Sequence, residues 1–327
     1  MTPTLLHWSG IDRVVEQKYL ELKSKGDYVK IFAFQKDIQT IPDEDVEIIP
    51  LSSNPTMQRV WRLLFFLKKS IIKQYTKKLK DFDKVIVYQY PLTLIAHKAK
   101  KKFGNKLHYQ YYDCGVAHPH LFKSFIERTY MKMFKFFLYK SISNIDSAVS
   151  ISQYLSDELF KDTKFRSKVK LLTIDENRFN KDVSPCMKTG KKTFLYVGRI
   201  SPHKGIHLLI QAFNKVMEKI PNSELWIIGK NTFPNYQKEL ESLIKYPDSV
   251  KFIGYVDDKD LPKYYKASNA YTTCTLWEGF DLPIAESNAC GTPTIAFNIC
   301  SHPEVLKNGK LIKEGDIDAF AEAMINV

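Results

Sequence analysis

Residues 196–205 read Tyr196-Val-Gly-Arg-Ile-Ser-Pro-His-Lys-Gly205, and residues 277–291 read Trp277-Glu-Gly-Phe-Asp-Leu-Pro-Ile-Ala-Glu-Ser-Asn-Ala-Cys-Gly291. The first stretch ends an apolar strand, 193–197, turns at Gly198 and carries Arg199 and Lys204 across a proline-containing loop to a helix opening near Gly205. This makes a basic turn between strand and helix. In the second, Glu278 and Glu286 flank a predicted helix over 283–290. Asp281 is expected to cap that helix, Pro283 suits its first turn because an N–H there has no partner anyway, and Gly291 follows its end. The free N–H groups of Phe280, Asp281 and Leu282 offer partial positive charge to an anion. Two cations, a helix N-terminus and two carboxylates suit a diphosphate joined to polyhydroxylated sugars, with Glu286 available to accept from vicinal hydroxyls.

Gly198-Arg199 with Lys204-Gly205, the run from Glu278 to Glu286, Gly291-Thr-Pro-Thr-Ile295 and Pro303-Glu-Val305 together resemble the donor-binding half of retaining glycosyltransferase family 4. The resemblance is strong over 193–325 and weaker before it. It implies an α/β fold of the GT-B type, two Rossmann-like doubly wound parallel-sheet domains facing a central cleft, and transfer of a sugar from a nucleoside-diphosphate sugar. It also implies that Glu286 binds the ribose hydroxyls, and that Glu278 with the backbone of Gly279, Phe280, Asp281 and Leu282 holds the donor sugar. The chain past Gly254, at Tyr255 and Val256, would border the base. The family usually carries more chain after this C-terminus, including a helix that crosses back to the first domain, so a minimal or shortened version is expected.

A chain of 327 residues, 44% hydrophobic and 13% aromatic, is long enough for two ordinary domains and too apolar for a disordered one. Its apolar runs fall short of the roughly 18 residues that span a bilayer, and the opening residues do not read as a signal peptide, so a cytoplasmic location is expected. Cys114, Cys186, Cys274, Cys290 and Cys300 include no Cys-x-x-Cys pair, which points to incidental thiols rather than a disulfide framework or zinc site. Charge is uneven. Residues 1–190 hold 33 lysines and arginines against 20 acidic residues, and 191–327 hold 16 against 16, so the excess of +13 sits in the first part. Different partners for two domains follow.

From the start, 4–7 is expected as a short strand, followed by a turn at Ser9-Gly10 and a helix over 12–25. Gly10 can let backbone approach a ligand, and Ser9 to Val15 resembles the family's glycine-rich first turn with one glycine where two are usual. Further strands are read at 29–34, 46–49, 84–88, 107–112, 148–152 and 169–173, alternating with helices, which implies parallel pairing and right-handed crossovers. Residues 57–80 set Trp61, Leu63, Leu64, Phe65, Phe66, Leu67, Ile71, Ile72 and Tyr75 among Arg59, Arg62, Lys68, Lys69, Lys73, Lys77, Lys78 and Lys80. One basic amphipathic helix is expected there, suited to an anionic membrane interface or, as an ordinary helix, to packing on the sheet. The aromatic, methionine and lysine-rich 122–139 supports the membrane reading, with the protein peripheral on the inner face.

Loops at the carboxyl ends of strands carry ligand contacts in open α/β sheets, which singles out Tyr111 to His120. The resemblance implies a histidine facing the sugar here; His118 is the candidate, with Asp113 and His120 as alternatives. Residues 1–182 are expected as an acceptor-binding domain, 183–192 as linker and 193–327 as the donor domain, with strands at 193–197, 224–228, 250–252, 270–274 and 294–297. Helices are expected at 204–219, 235–245 and 260–266 besides 283–290.

Sugar transfer from a nucleotide diphosphate builds charge on the β-phosphate, which Arg199 and Lys204 suit. No cofactor or divalent metal is then expected; Asp81-Phe-Asp83 ends a lysine-rich helix and reads as a solvated helix end. The expected partners are a nucleotide sugar and a glycan or lipid-linked acceptor. The weaker alternatives are a sugar-nucleotide epimerase or phosphorylase of the same fold, and a nucleic-acid binder, which the charge would favour but no motif supports.

Overall fold

The computed structural model describes every residue except 7–9, 53, 123, 188, 189 and 232, and within helices every side chain except those of 55, 56, 59 and 234. His7 of the expected first strand, Ser9 of the expected turn and the side chain of Arg59 therefore lie outside the described residues, as do Lys123 and the 188–189 part of the expected linker. The chain folds as two compact units, Met1–Pro119 with Lys123–Leu171, and Leu172–Val327 with His120–Phe122.

The first unit runs β1 (Thr4–Leu5), α1 (Gly10–Ser24), β2 (Ile31–Ala33), β3 (Gln35–Lys36), β4 (Val46–Ile48), α2 (Pro55–Leu63), α3 (Lys69–Lys78), β5 (Lys84–Val87), α4 (Leu92–Phe103), β6 (His108–Asp113), α5 (Phe125–Ser141), β7 (Ser147–Ser150), α6 (Gln153–Thr163) and β8 (Lys168–Val169). Its paired strands are parallel. The Thr2 N–H donates to Phe32 O and the Tyr88 N–H to Met1 O, so the residues before β1 bridge the β2–β4 pair to the β5-β6-β7-β8 sheet. Tyr109, Tyr111, Val87, Ile95 and Phe65 are buried together beneath the helices.

The single basic helix expected over 57–80 is two helices, α2 and α3, separated by a 3-10 turn at Phe65–Leu67. Five consecutive apolar residues, 63–67, are wider than one stripe of a 3.6-residue period. The break lets Phe65 enter the core while Leu67 stays exposed, and the Tyr90 hydroxyl donates to Leu63 O at 2.7 Å where α2 ends.

The second unit runs β9 (Lys192–Val197), α7 (Ile206–Lys219), β10 (Ser223–Ile228), α8 (Pro234–Leu243), β11 (Val250–Gly254), α9 (Leu261–Ala267), β12 (Ala270–Thr273), α10 (Leu282–Ala289), β13 (Thr294–Phe297), α11 (His302–Val305), β14 (Gly309–Ile312) and α12 (Ile317–Ile325). All its strands are parallel, in the order β11-β10-β9-β12-β13-β14. Every residue of β10 is buried, as a strand covered by helices on both faces requires. Phe194, Leu209, Phe213, Leu225, Ile227, Phe297 and Phe320 are fully buried, each contributing about 1.5–3 kcal/mol relative to exposure.

The chain winds outward from β9 to β11, then crosses back to β12 on the other side of β9. This reversal makes the gap beyond the carboxyl ends of β9 and β12 a topological switch point, where open α/β sheets hold ligands. The boundary differs from the expected one: 172–192 packs with the second unit, because Phe179 is buried against Tyr265 and the Cys186 N–H donates to Lys263 O. Elements β14 and α12 also extend the donor half beyond the last expected strand.

Asp113, at the end of β6, is buried, and desolvation pushes its carboxyl from 3.8 up to about 6 despite hydrogen bonds from Gly115 N–H, Ser150 Oγ and Tyr111 OH. Between these two values the folded chain keeps a proton that the unfolded chain releases, so the penalty for burying the charge is complete above pH 6 and absent below pH 4. Wild type should therefore gain up to about 3 kcal/mol over Asp113→Asn as pH falls from 7 to 4, measured by urea unfolding of both proteins.

Candidate active site

The carboxyl ends of β9, β10 and β11 finish in glycines. Gly198 N–H donates to Ile228 O at 2.9 Å and Gly229 N–H to Gly254 O at 2.8 Å. A Cβ on Gly229 would come within 1.9 Å of Gly198 O, so this edge of the sheet is bare backbone. Beyond Gly198 the chain passes the exposed Arg199, whose carbonyl accepts from the Tyr196 hydroxyl at 3.1 Å, and a 3-10 turn at Pro202–Lys204.

Gly205 has φ +63°, and a Cβ there would lie 1.8 Å from Cys274 O. Only glycine allows that approach. The same contact is sewn by Leu276 N–H to His203 O at 2.8 Å and by Thr275 Oγ1 to His203 O at 3.2 Å. The loop after β9 and the loop after β12 are thus joined across the switch point, and Lys204 Nζ meets Glu278 Oε2 at 2.6 Å. His203, unremarked in the sequence although it stands beside Lys204, has its ring pushed down to about 3 by burial and then by Lys204 and Arg199. A neutral ring there leaves the positive charge to its two neighbours.

Asp281 does not cap α10 with its side chain. It adopts a left-handed conformation, φ +66° and ψ 72°, and its Oδ2 instead contacts His302 Nε2 at 3.1 Å. A carboxylate turned inward cannot reach the N–H groups of the first turn, so the amide end of α10 is left to other acceptors. Pro283 does occupy the first turn, and the helix stops before Gly291. Burial raises the Tyr196 and Tyr271 hydroxyls well above their ordinary value, with Asp281 and Glu278 adding to both. Arg199 opposes the shift at Tyr196, so these charges converge on one place.

Glu286 is 2% exposed, and its Oε2 accepts from the Tyr265 hydroxyl at 2.9 Å. Next to α9 a concavity of about 460 Å³ is lined by Cys186, Tyr255, Val256, Asp257, Asp260, Lys263 and Tyr264. Tyr255 and Val256 thus stand at an open recess. The cysteines form no disulfide, and burial pushes Cys290, beside Glu286, up to about 11.

Two expected site residues belong to the first unit. Gly10 starts α1 with nothing within 4 Å of where its Cβ would stand, so sterics alone do not demand glycine there. His118 is half-buried; its Nε2 lies 3.2 Å from both Tyr154 OH and Glu158 Oε2, and its Nδ1 lies 3.5 Å from Lys135 Nζ. His120 is exposed in the 3-10 turn Pro119–Leu121. Ser301 and His302, which the sequence did not single out, stand at the same loop: Ser301 Oγ donates to Glu278 O at 3.3 Å. Their adjacency to Pro303-Glu304 was the available signal.

Parallel sheets in two Rossmann-like units define a GT-B glycosyltransferase fold. Solved structures align over the whole chain: sucrose-phosphate synthase from Thermosynechococcus elongatus, 18% identical with a TM-score of 0.77 over 99% of this chain and 88% of that one, and Anabaena HepE in complex with UDP-glucose, 18% identical with a TM-score of 0.72 over 100% and 89%. Residues 177–327 match the family model of the glycosyl transferases group 1. The O-antigen chain mannosyltransferase B of Escherichia coli is 24% identical over 93% of this chain and 82% of its own length. Spore coat protein SA of Bacillus subtilis (strain 168) is 37% identical, but the match spans 37% of this chain and 34% of that relative.

Replacing Glu286 with alanine removes the acceptor 2.9 Å from the buried Tyr265 hydroxyl, so Glu286→Ala should lose about 1–3 kcal/mol of stability. Glu286→Gln keeps an acceptor for that hydroxyl and should stay within about 1 kcal/mol of wild type in thermal unfolding. If Glu286 takes the ribose hydroxyls, as the resemblance implies, both should bind nucleoside diphosphate at least tenfold more weakly in calorimetry, because an amide is a poorer acceptor than a carboxylate.

Proposed function

We propose that this chain is a retaining, metal-independent glycosyltransferase of family 4 that moves a sugar from a nucleoside-diphosphate sugar to a glycan or lipid-linked acceptor, peripheral on the cytoplasmic face of a membrane. The observation that carries the reading is the junction at the switch point, where Lys204 and Glu278 meet at 2.6 Å beside the amide end of α10. As the anomeric carbon–oxygen bond breaks, negative charge collects on the β-phosphate. Arg199, Lys204 and the N–H groups of residues 280–282 offset it, each such donor contributing about 3 kcal/mol in a water-poor site. Glu286 takes the ribose hydroxyls and Tyr255 and Val256 flank the base. Glu278 and His118 are assigned to the transferred sugar. The UDP-glucose bound by HepE and the mannosyl transfer for which mannosyltransferase B is named support a nucleotide-sugar donor.

The acceptor side rests on the first unit. On α5, Phe125, Ile126 and Phe136 are 81%, 78% and 60% exposed, with Met133 between them and the exposed Arg128, Lys132 and Lys140 alongside. Neighbouring α2 and the turn after it add the exposed Val60 and Leu67, and Phe66 packs on Phe137 at 4.9 Å. Among the described residues no helix is long and apolar enough to cross a membrane. Apolar side chains ringed by basic ones suit the surface of an anionic bilayer, each cation contributing about 1 kcal/mol.

Incubation with labelled UDP-, GDP- and ADP-sugars and a membrane-lipid extract should give an acceptor-linked sugar with retained anomeric configuration, in EDTA as well as in magnesium, and Arg199→Ala should lower kcat/KM at least 100-fold. An inverted product, phosphate-dependent release of sugar 1-phosphate, or epimerisation without acceptor would overturn the assignment. Phe125→Ser with Phe136→Ser should cut co-sedimentation with phosphatidylglycerol liposomes at least fivefold while circular dichroism stays unchanged; undiminished co-sedimentation removes the membrane surface.

A further inference from the structure

The buried contact between Asp281 and His302 has no role in the donor chemistry described so far. His302 is fully buried and Asp281 is 3% exposed. Nδ1 of His302 lies 2.7 Å from Phe297 O, and Nε2 lies 3.1 Å from Asp281 Oδ2. A carbonyl oxygen only accepts, so Nδ1 carries a proton. Nε2 facing a carboxylate needs a proton between them as well, because two lone pairs at that distance repel. Whether that proton sits on nitrogen or oxygen, the couple has no net charge.

Asp281 immediately precedes α10, an eight-residue helix, and an unmatched carboxylate there would oppose an anion at the helix's amide end. In a buried setting this repulsion is poorly screened by salt. The left-handed backbone at Asp281 turns the carboxylate inward, and His302 receives it there. Its neighbour Ser301 holds the carbonyl of Glu278, so the start of α11 braces both ends of the loop.

We propose that His302 is a positioning residue for nucleoside-diphosphate recognition: by supplying the second proton it cancels the charge of Asp281 and keeps the amide end of α10 open to phosphate. The inference rests on the donor site described under Proposed function. Glutamine at 302 can still donate one hydrogen bond but cannot bring a neutralising charge. His302→Gln should therefore weaken UDP or GDP, whichever wild type binds, at least tenfold in calorimetry. The loss should be smaller for the monophosphate and absent for the nucleoside. Adding Asp281→Asn should restore diphosphate affinity to within about threefold of wild type, since asparagine tolerates the left-handed conformation and carries no charge.

A loss equal for nucleoside, monophosphate and diphosphate, or a double variant no better than His302→Gln, would mean that the histidine only fills space and would overturn the proposal. If His302→Gln does not fold, His302→Asn takes its place in the same series: a loss that grows from nucleoside to diphosphate supports the charge argument, and an equal loss across the three ligands refutes it. Wild type that binds none of UDP, GDP or ADP would instead sink the donor site itself, and this inference with it.

Discussion

The α-carbon of Gly205 and the carbonyl of Cys274 lie so close that no side chain fits between them. The candidate site depends on that approach, because it brings together two loops whose strands, β9 and β12, are neighbours only through the sheet. Lys204 ends one loop and Glu278 lies on the other, and their ion pair is a consequence of the backbone contact rather than its cause. The bare glycine ends of β9 and β10 serve the same purpose from the other side: they leave space where side chains would stand.

A region proposed to receive a diphosphate cannot leave its own carboxylates unmatched. Each acidic group here has a partner: Lys204 for Glu278, the Tyr265 hydroxyl for Glu286, and His302 for Asp281. The partners differ in kind. A lysine forms an ion pair, a tyrosine merely orients, and a histidine adds a proton to a buried couple. Burial keeps His203 uncharged, so the local field comes from Arg199 and Lys204 alone among the basic groups of that loop. The first unit handles charge differently, with exposed cations surrounding exposed aromatic rings on α5.

Much of this was legible without coordinates. Glycine after a strand, cations beyond it and proline at a helix's first turn are local signals, since each acts through backbone geometry within a few residues. They located β9, α7 and α10 to within two residues. What escaped was set by distance in space. The five apolar residues at 63–67 looked like part of one helix, and only the demand of the core for Phe65 broke it. Residues 172–192 resembled a domain end and linker, but the burial of Phe179 against Tyr265 bound them to the second unit.

Asp281 marks the boundary between the two kinds of knowledge. Its place before Leu282 and Pro283, together with the composite of Arg199, Lys204, Glu278 and Glu286, followed from residue types and spacing, because capping, turn formation and anion attraction are short-range. The direction of its carboxylate did not follow. That was decided by His302, twenty-one residues away in the chain, which the pairing of β13 with its neighbours and the short helix α11 deliver to the interior beside it; hydrogen bonding between groups so far apart exists only once the sheet has assembled.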